Sequence, residues 1–195
     1  YNDIDKTMLA RMVSLEAAGV YGAAYRIVDA AFSPVNALMH AAYPRFFQHG
    51  AQGLTHSTRF ATRLLPRVLV YCVGVGTLAY MAAPWVPKVL GAQFEPTVVA
   101  LRWLAPVLVF RGVHVFAADA LTGAEFQGTR TMLQFGIAMA NVMMNLAWLP
   151  RFSWRGACYA TLLCDGLLAV TLWSTILVLC RRQRRSNARL VMEPS

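Results

Sequence analysis

Apolar residues gather along this chain into blocks separated by short polar breaks, and their lengths decide what kind of element each block forms. Ile4, Met8, Leu9 and Met12 are spaced for one face of a helix over Ile4 to Val13. About ten residues cannot cross roughly 30 Å of hydrocarbon, so this stretch reads as the end of a helix whose start is missing. A longer block from Ala17 to Phe47 has room for a tilted or kinked span at Pro34, with Pro44 closing it. The polar run from His49 to Arg63 predicts a loop with room for a short surface helix before a third block over Leu64 to Val86. Pro84, Pro87 and Gly91 mark its exit. A fourth block, Thr97 to Leu121, is polar on one face, and a loop over Thr122 to Arg130 leads to a fifth from Met132 to Leu149, stopped by Pro150. The sixth, Gly156 to Cys180, ends abruptly in Arg181, Arg182, Arg184, Arg185 and Arg189, as a stop-transfer segment does. The predicted fold class is therefore all-α: a polytopic transmembrane bundle over residues 1–180, with one partial and five complete spans, followed by a basic tail over 181–195.

Composition agrees with the pattern. Of 195 residues 57% are hydrophobic and 14% charged, against about 25% charged in soluble domains. The net charge of +9 raises the question of nucleic acid. The arginines lie between apolar blocks and in the tail, however, which is how topology is encoded, and no nucleic-acid partner is expected. Alternating the spans puts Arg45, Arg59, Arg63, Arg67, Arg130 and the tail arginines on one side, and Arg11, Lys88, Arg151 and Arg155 on the other. The excess predicts that the first side, including the C-terminus, is cytoplasmic. Cys72, Cys158, Cys164 and Cys180 sit inside apolar blocks without ligand spacing and read as small hydrophobes. The chain opens on Tyr1 with no signal-peptide pattern, which reads as a piece of a longer protein.

Ionisable residues inside hydrocarbon are costly, so those that persist face a bundle interior or a wet cavity. Arg26 and Asp29 stand three apart and can pair on one helical face, with Asn36 and His40 further along. In the fourth block Arg102 is placed to snorkel, whereas Arg111 sits too deep to do so and is the leading candidate for contact with an anionic substrate; His114 shares its face. The candidate substrate-binding residues are thus Arg26, Arg111 and His114. Asp29, Asp119 and Asp165 are the candidates for ion coupling; a satisfied ion pair with Arg26 accounts for Asp29 equally well, and a protonated carboxyl paired with a neighbouring helix is the plainer account of Asp165. Asn141 and Asn145, four apart, suit interhelical hydrogen bonding. Ala18 with Gly22, and Gly19 with Ala23, have the small-xxx-small spacing of close helix contact, and Gly74 and Gly76 also read as packing residues. No metal-ligand set, cofactor motif or catalytic constellation is present in the pattern, and an enzyme is not expected.

Several runs carry a family likeness. Asn2-Asp3-Ile4-Asp5-Lys6, Glu16, Gly19 to Arg26, Pro34 and Tyr43-Pro44-Arg45, then Leu90-Gly91 with Phe94, Leu101 to Pro106, Gly123, Asn141, Asn145 and Gly156-Ala157 follow one another as in the C-terminal half of bacterial polysaccharide-repeat flippases. These are the Wzx-type O-antigen and exopolysaccharide exporters of the multidrug/oligosaccharidyl-lipid/polysaccharide superfamily. The resemblance implies twelve spans in two six-helix bundles, of which this chain is similar to the second without its opening. It further implies a bacterial inner-membrane location and transfer of an undecaprenyl-pyrophosphate-linked oligosaccharide by alternating access. The implied partners are that lipid-linked oligosaccharide, the bilayer, the missing N-terminal bundle, and polysaccharide polymerase and chain-length machinery. Two other readings stay open: an ion-coupled multidrug or small-molecule exporter on the same scaffold, and a truncated bundle without transport activity.

Overall fold

The computed structural model describes residues 4–192, with side chains through Gln183. Asn2 and Asp3 of the likeness, and the side chains of Arg184, Arg185 and Arg189, lie outside the described residues. Every regular element among those described is helical: α1 (Ile4–Met12), α2 (Leu15–Gly50), α3 (Leu54–Ala82), α4 (Val86–Leu90), α5 (Glu95–Leu104), α6 (Val107–Gly123), α7 (Gln127–Phe152) and α8 (Trp154–Met192), with 3₁₀ turns at Ala83–Trp85 and Ala92–Phe94.

Local chemistry sets several of the boundaries. Ser14, in extended backbone, accepts the Ala17 N–H on its hydroxyl at 3.0 Å and caps α2, with Glu16 in the first turn. Gly53 and Gly91, both at φ +106°, supply the reversals before α3 and after α4. Pro34 and Pro44 lie inside α2 and Pro150 inside α7 without ending them. In a membrane bundle neighbouring groups tolerate the carbonyl that a proline frees.

Several expected boundaries are corrected. The polar stretch His49 to Arg63 is helix except at 51–53, because α2 runs on to Gly50 and α3 starts at Leu54. The Thr122 to Arg130 loop shrinks to 124–126. The span expected over Thr97 to Leu121 is two helices, α5 and α6, bent by 44° at Ala105 and Pro106. α8 continues as helix through the arginine-rich segment to Met192. Three helices are long and apolar enough to cross a membrane, within Leu54–Leu90, Gln127–Phe152 and Trp154–Gln183, and the bent α5–α6 pair makes a fourth if taken as one span. That marks a membrane protein. α2 has the length, at 36 residues, but Arg26, Asp29, Asn36, His40 and Arg45 dilute its apolar content.

α6 is the centre of the bundle and packs on α2, α3, α7 and α8. Every residue from Phe116 to Gly123 is buried. Of the expected packing glycines Gly76 is one, buried with the Ala105 carbonyl 3.3 Å from where its Cβ would stand, and the tightest approaches come at others: a Cβ on Gly50 would overlap the Gly123 carbonyl, and one on Gly123 would overlap that of Phe46. A Cβ on Gly156 would press on Trp148, whereas Gly19, Gly22 and Gly74 face open space. Side chains also bond neighbouring backbones, Ser57 Oγ to the Ala120 carbonyl at 3.0 Å, Tyr71 OH to Ala31 at 3.0 Å and Trp173 Nε1 to Val113 at 3.0 Å. The ends of α2 and α6 and the start of α3 thus share one end of the bundle, which also carries Arg45, Arg59, Arg63 and Arg130. Outward, Met132, Phe135, Met139, Met143 and Leu146 form an exposed stripe down α7. In water such a stripe would be an aggregation surface, whereas in a bilayer it is solvated by acyl chains.

Candidate functional site

Helical spacing collects the polar residues of five helices around one cavity of about 360 Å³. Tyr21, Tyr25 and Asp29 recur every four residues on α2, with Asn36 further along. Arg111 and His114 stand three apart on α6, Asn141 and Asn145 four apart on α7, and Thr161 and Asp165 four apart on α8. α1 adds Asp5. α2 and α7 both line the cavity but barely pack on each other, unlike α2 and α6 or α7 and α8.

The cavity has two polar layers. In one, the buried Asp5 carboxylate accepts from Asn145 Nδ2 at 2.8 Å, Tyr21 OH at 3.3 Å and Thr161 Oγ1 at 3.3 Å. Tyr21 and Thr161 touch each other at 2.9 Å, and Asn145 also donates to Asn141 Oδ1 at 2.9 Å. These bonds tie α1 to α2, α7 and α8, leaving Asn145 Oδ1 buried and unpartnered. In the second layer, Arg111 Nη1 donates to Asp29 Oδ1 at 2.7 Å and Nη2 donates to Tyr25 OH. The guanidinium stacks over Tyr25 and Phe32, 5.3 and 5.6 Å from the ring centroids. Beside it, His114 Nε2 lies 3.2 Å from Asp165 Oδ1, and His114 Nδ1 is buried without a partner.

Of the candidates from the sequence, Arg111, His114, Asp29 and Asp165 meet in this cavity. Arg26 does not: it is exposed, outside the lining, and Asp29 pairs with Arg111 instead. Asp119 is also elsewhere, buried near the basic end, where Arg130 Nη1 reaches it at 3.2 Å and Thr122 Oγ1 at 2.6 Å. The expected Asn141–Asn145 role extends further, because Asn145 holds a carboxylate as well. Asp5, Tyr21, Tyr25 and Thr161 were missed as site residues. For the last three the one signal is four-residue spacing, Tyr21-Tyr25-Asp29 and Thr161-Asp165, inside otherwise apolar helices, and Asp5 carries no such signal.

The lining carries three carboxylates, Asp5, Asp29 and Asp165, against one guanidinium and one imidazole. Its charge is balanced or negative depending on protons, so the Arg111 cation is already matched. Such a site can take up protons or cations and can hydrogen-bond hydroxyl-rich groups through its tyrosines and amides. No group of three or more possible metal-holding His, Cys, Asp or Glu occurs among the described residues. No protein-family model, curated protein or solved structure matches this chain, so its function is argued from the cavity and the residue pattern.

Proposed function

We propose that this chain is one bundle of a bacterial inner-membrane transporter, not an enzyme, and that it helps move a lipid-linked oligosaccharide toward the periplasm. The carrying observation is a polar, ion-paired cavity within a bundle whose outer surface is apolar, bordered by two helices that scarcely touch. A glycan headgroup needs a wet path lined by donors and acceptors while its lipid tail stays in the bilayer, and the likeness to the flippase half supplies the substrate class. In this reading α1 is the partial span, and α2, α3 with α4, the bent α5–α6 pair, α7 and α8 are the five complete ones. The basic end faces the cytoplasm.

A second reading, an exporter of small molecules driven by protons or sodium, is favoured by the excess of carboxylates in the lining. The two separate on one experiment: Arg111→Ala in the intact protein, at matched abundance, scored for surface-polysaccharide export. The first reading expects export to fall to the level of a deletion strain. Unchanged export removes Arg111 from the path, and drug efflux that follows an ion gradient irrespective of the host's glycan genes would favour the second. Thiol labelling of cysteines placed in the tail and in the Pro150 to Arg155 turn tests orientation. A tail reached only from the periplasm overturns it.

A further inference from the structure

Where α2 turns into α3, two pockets adjoin on the outside of the bundle. One, of about 160 Å³, is lined by His49, Gln52, His56, Arg59, Phe60 and Arg63. Next to it a groove of about 210 Å³ runs between Leu38, Ala41, Ala42, Arg45, Phe60 and Leu64. Phe60 is the shared wall, held by ring contacts to Phe46 at 5.0 Å and His49 at 4.9 Å.

The first pocket is cationic and uncompensated. No acidic residue occurs between Asp29 and Glu95, and among the described residues Arg45, Arg59 and Arg63 make no ion pair. Arg59, Arg63 and Arg67 recur every four residues, an exposed stripe along the first turns of α3. His56 is oriented by donating its Nδ1–H to the Gln52 carbonyl at 3.0 Å. The groove is apolar apart from Arg45, and its two alanines leave it open. From His49 at the pocket to Leu38 in the groove is eleven residues of α2, or about 16 Å along the helix. The groove therefore leads from the basic end toward the middle of the bilayer.

We infer that the α2–α3 corner binds an anionic phospholipid, its phosphate between Arg59, Arg63 and the two histidines and one acyl chain in the groove past Ala41 and Leu38. The pairing of a cationic cup with an apolar channel running to membrane depth is what selects a lipid over a free anion. Neither pocket shares a residue with the transport cavity, so this site stands or falls separately from the transporter reading.

The test is thermal unfolding of the full chain in nanodiscs of phosphatidylcholine alone or with phosphatidylglycerol, and with inorganic phosphate added to the former. Phosphatidylglycerol is expected to raise the melting temperature by about 3 °C or more. The double variant R59Q/R63Q, at two exposed positions, abolishes the rise, and Ala41→Trp, which fills the groove from an exposed position, reduces it. Equal melting in the two lipid mixtures, the same rise from inorganic phosphate alone, or a rise that survives R59Q/R63Q would each overturn the site.

Discussion

Two sets of arginines in this molecule obey opposite rules. Arg111, in the cavity, and Arg130, half-buried at the basic end, each face a carboxylate from the chain itself, at 2.7 Å and 3.2 Å, and each has a hydroxyl as well. Arg45, Arg59, Arg63 and Arg67, at the basic end, are exposed and none joins an ion pair among the described residues. Burial explains the difference. A guanidinium removed from water must bring its counter-ion and hydrogen bonds with it, whereas one at the membrane surface is satisfied by water and lipid phosphate.

The contrast breaks most sharply at Asp29→Ala, which strands a guanidinium that is 13% exposed. We expect a loss of about 3 kcal/mol, the low end for a broken buried pair because Asp29 itself is 45% exposed. Chemical unfolding in detergent measures it. Replacing both partners by apolar residues, Asp29→Leu with Arg111→Met, recovers most of that loss, since no charge is then left unmatched. A smaller effect, about 1–2 kcal/mol, is expected for Asn145→Leu, which removes one donor from the Asp5 carboxylate and leaves Tyr21 and Thr161 in place. Smallest is R59Q/R63Q in phosphatidylcholine, within about 0.5 kcal/mol of the parent, because neither guanidinium holds the fold together. A cost there comparable to that of Asp29→Ala would erase the distinction between the two sets.

The helical class, the apolar blocks and the depth of Arg111 were all legible in the sequence, because composition and length report solvation directly. Partner choice was not. Arg26 stands three residues from Asp29 and looks like its mate, yet the mate is Arg111, 82 residues away, and local spacing carries no information about which helices become neighbours. The stretch from His49 to Arg63 misled for another reason: its polarity reports nearness to the membrane surface, and helix continues there regardless. Prolines divided likewise, Pro44 and Pro150 being absorbed within helices while the α5–α6 bend falls at Pro106. Asp5 went unnoticed as a site residue because its three donors come from helices distant in sequence.

The eight enclosed residues from Phe116 to Gly123 have a consequence for how this protein can change over generations. A helix with one free side can drift there at little cost, as α7 can along its methionine-rich flank. The second half of α6 has no such side, so lineages of this chain should diverge fastest on α7 and hold that half of α6 nearly still.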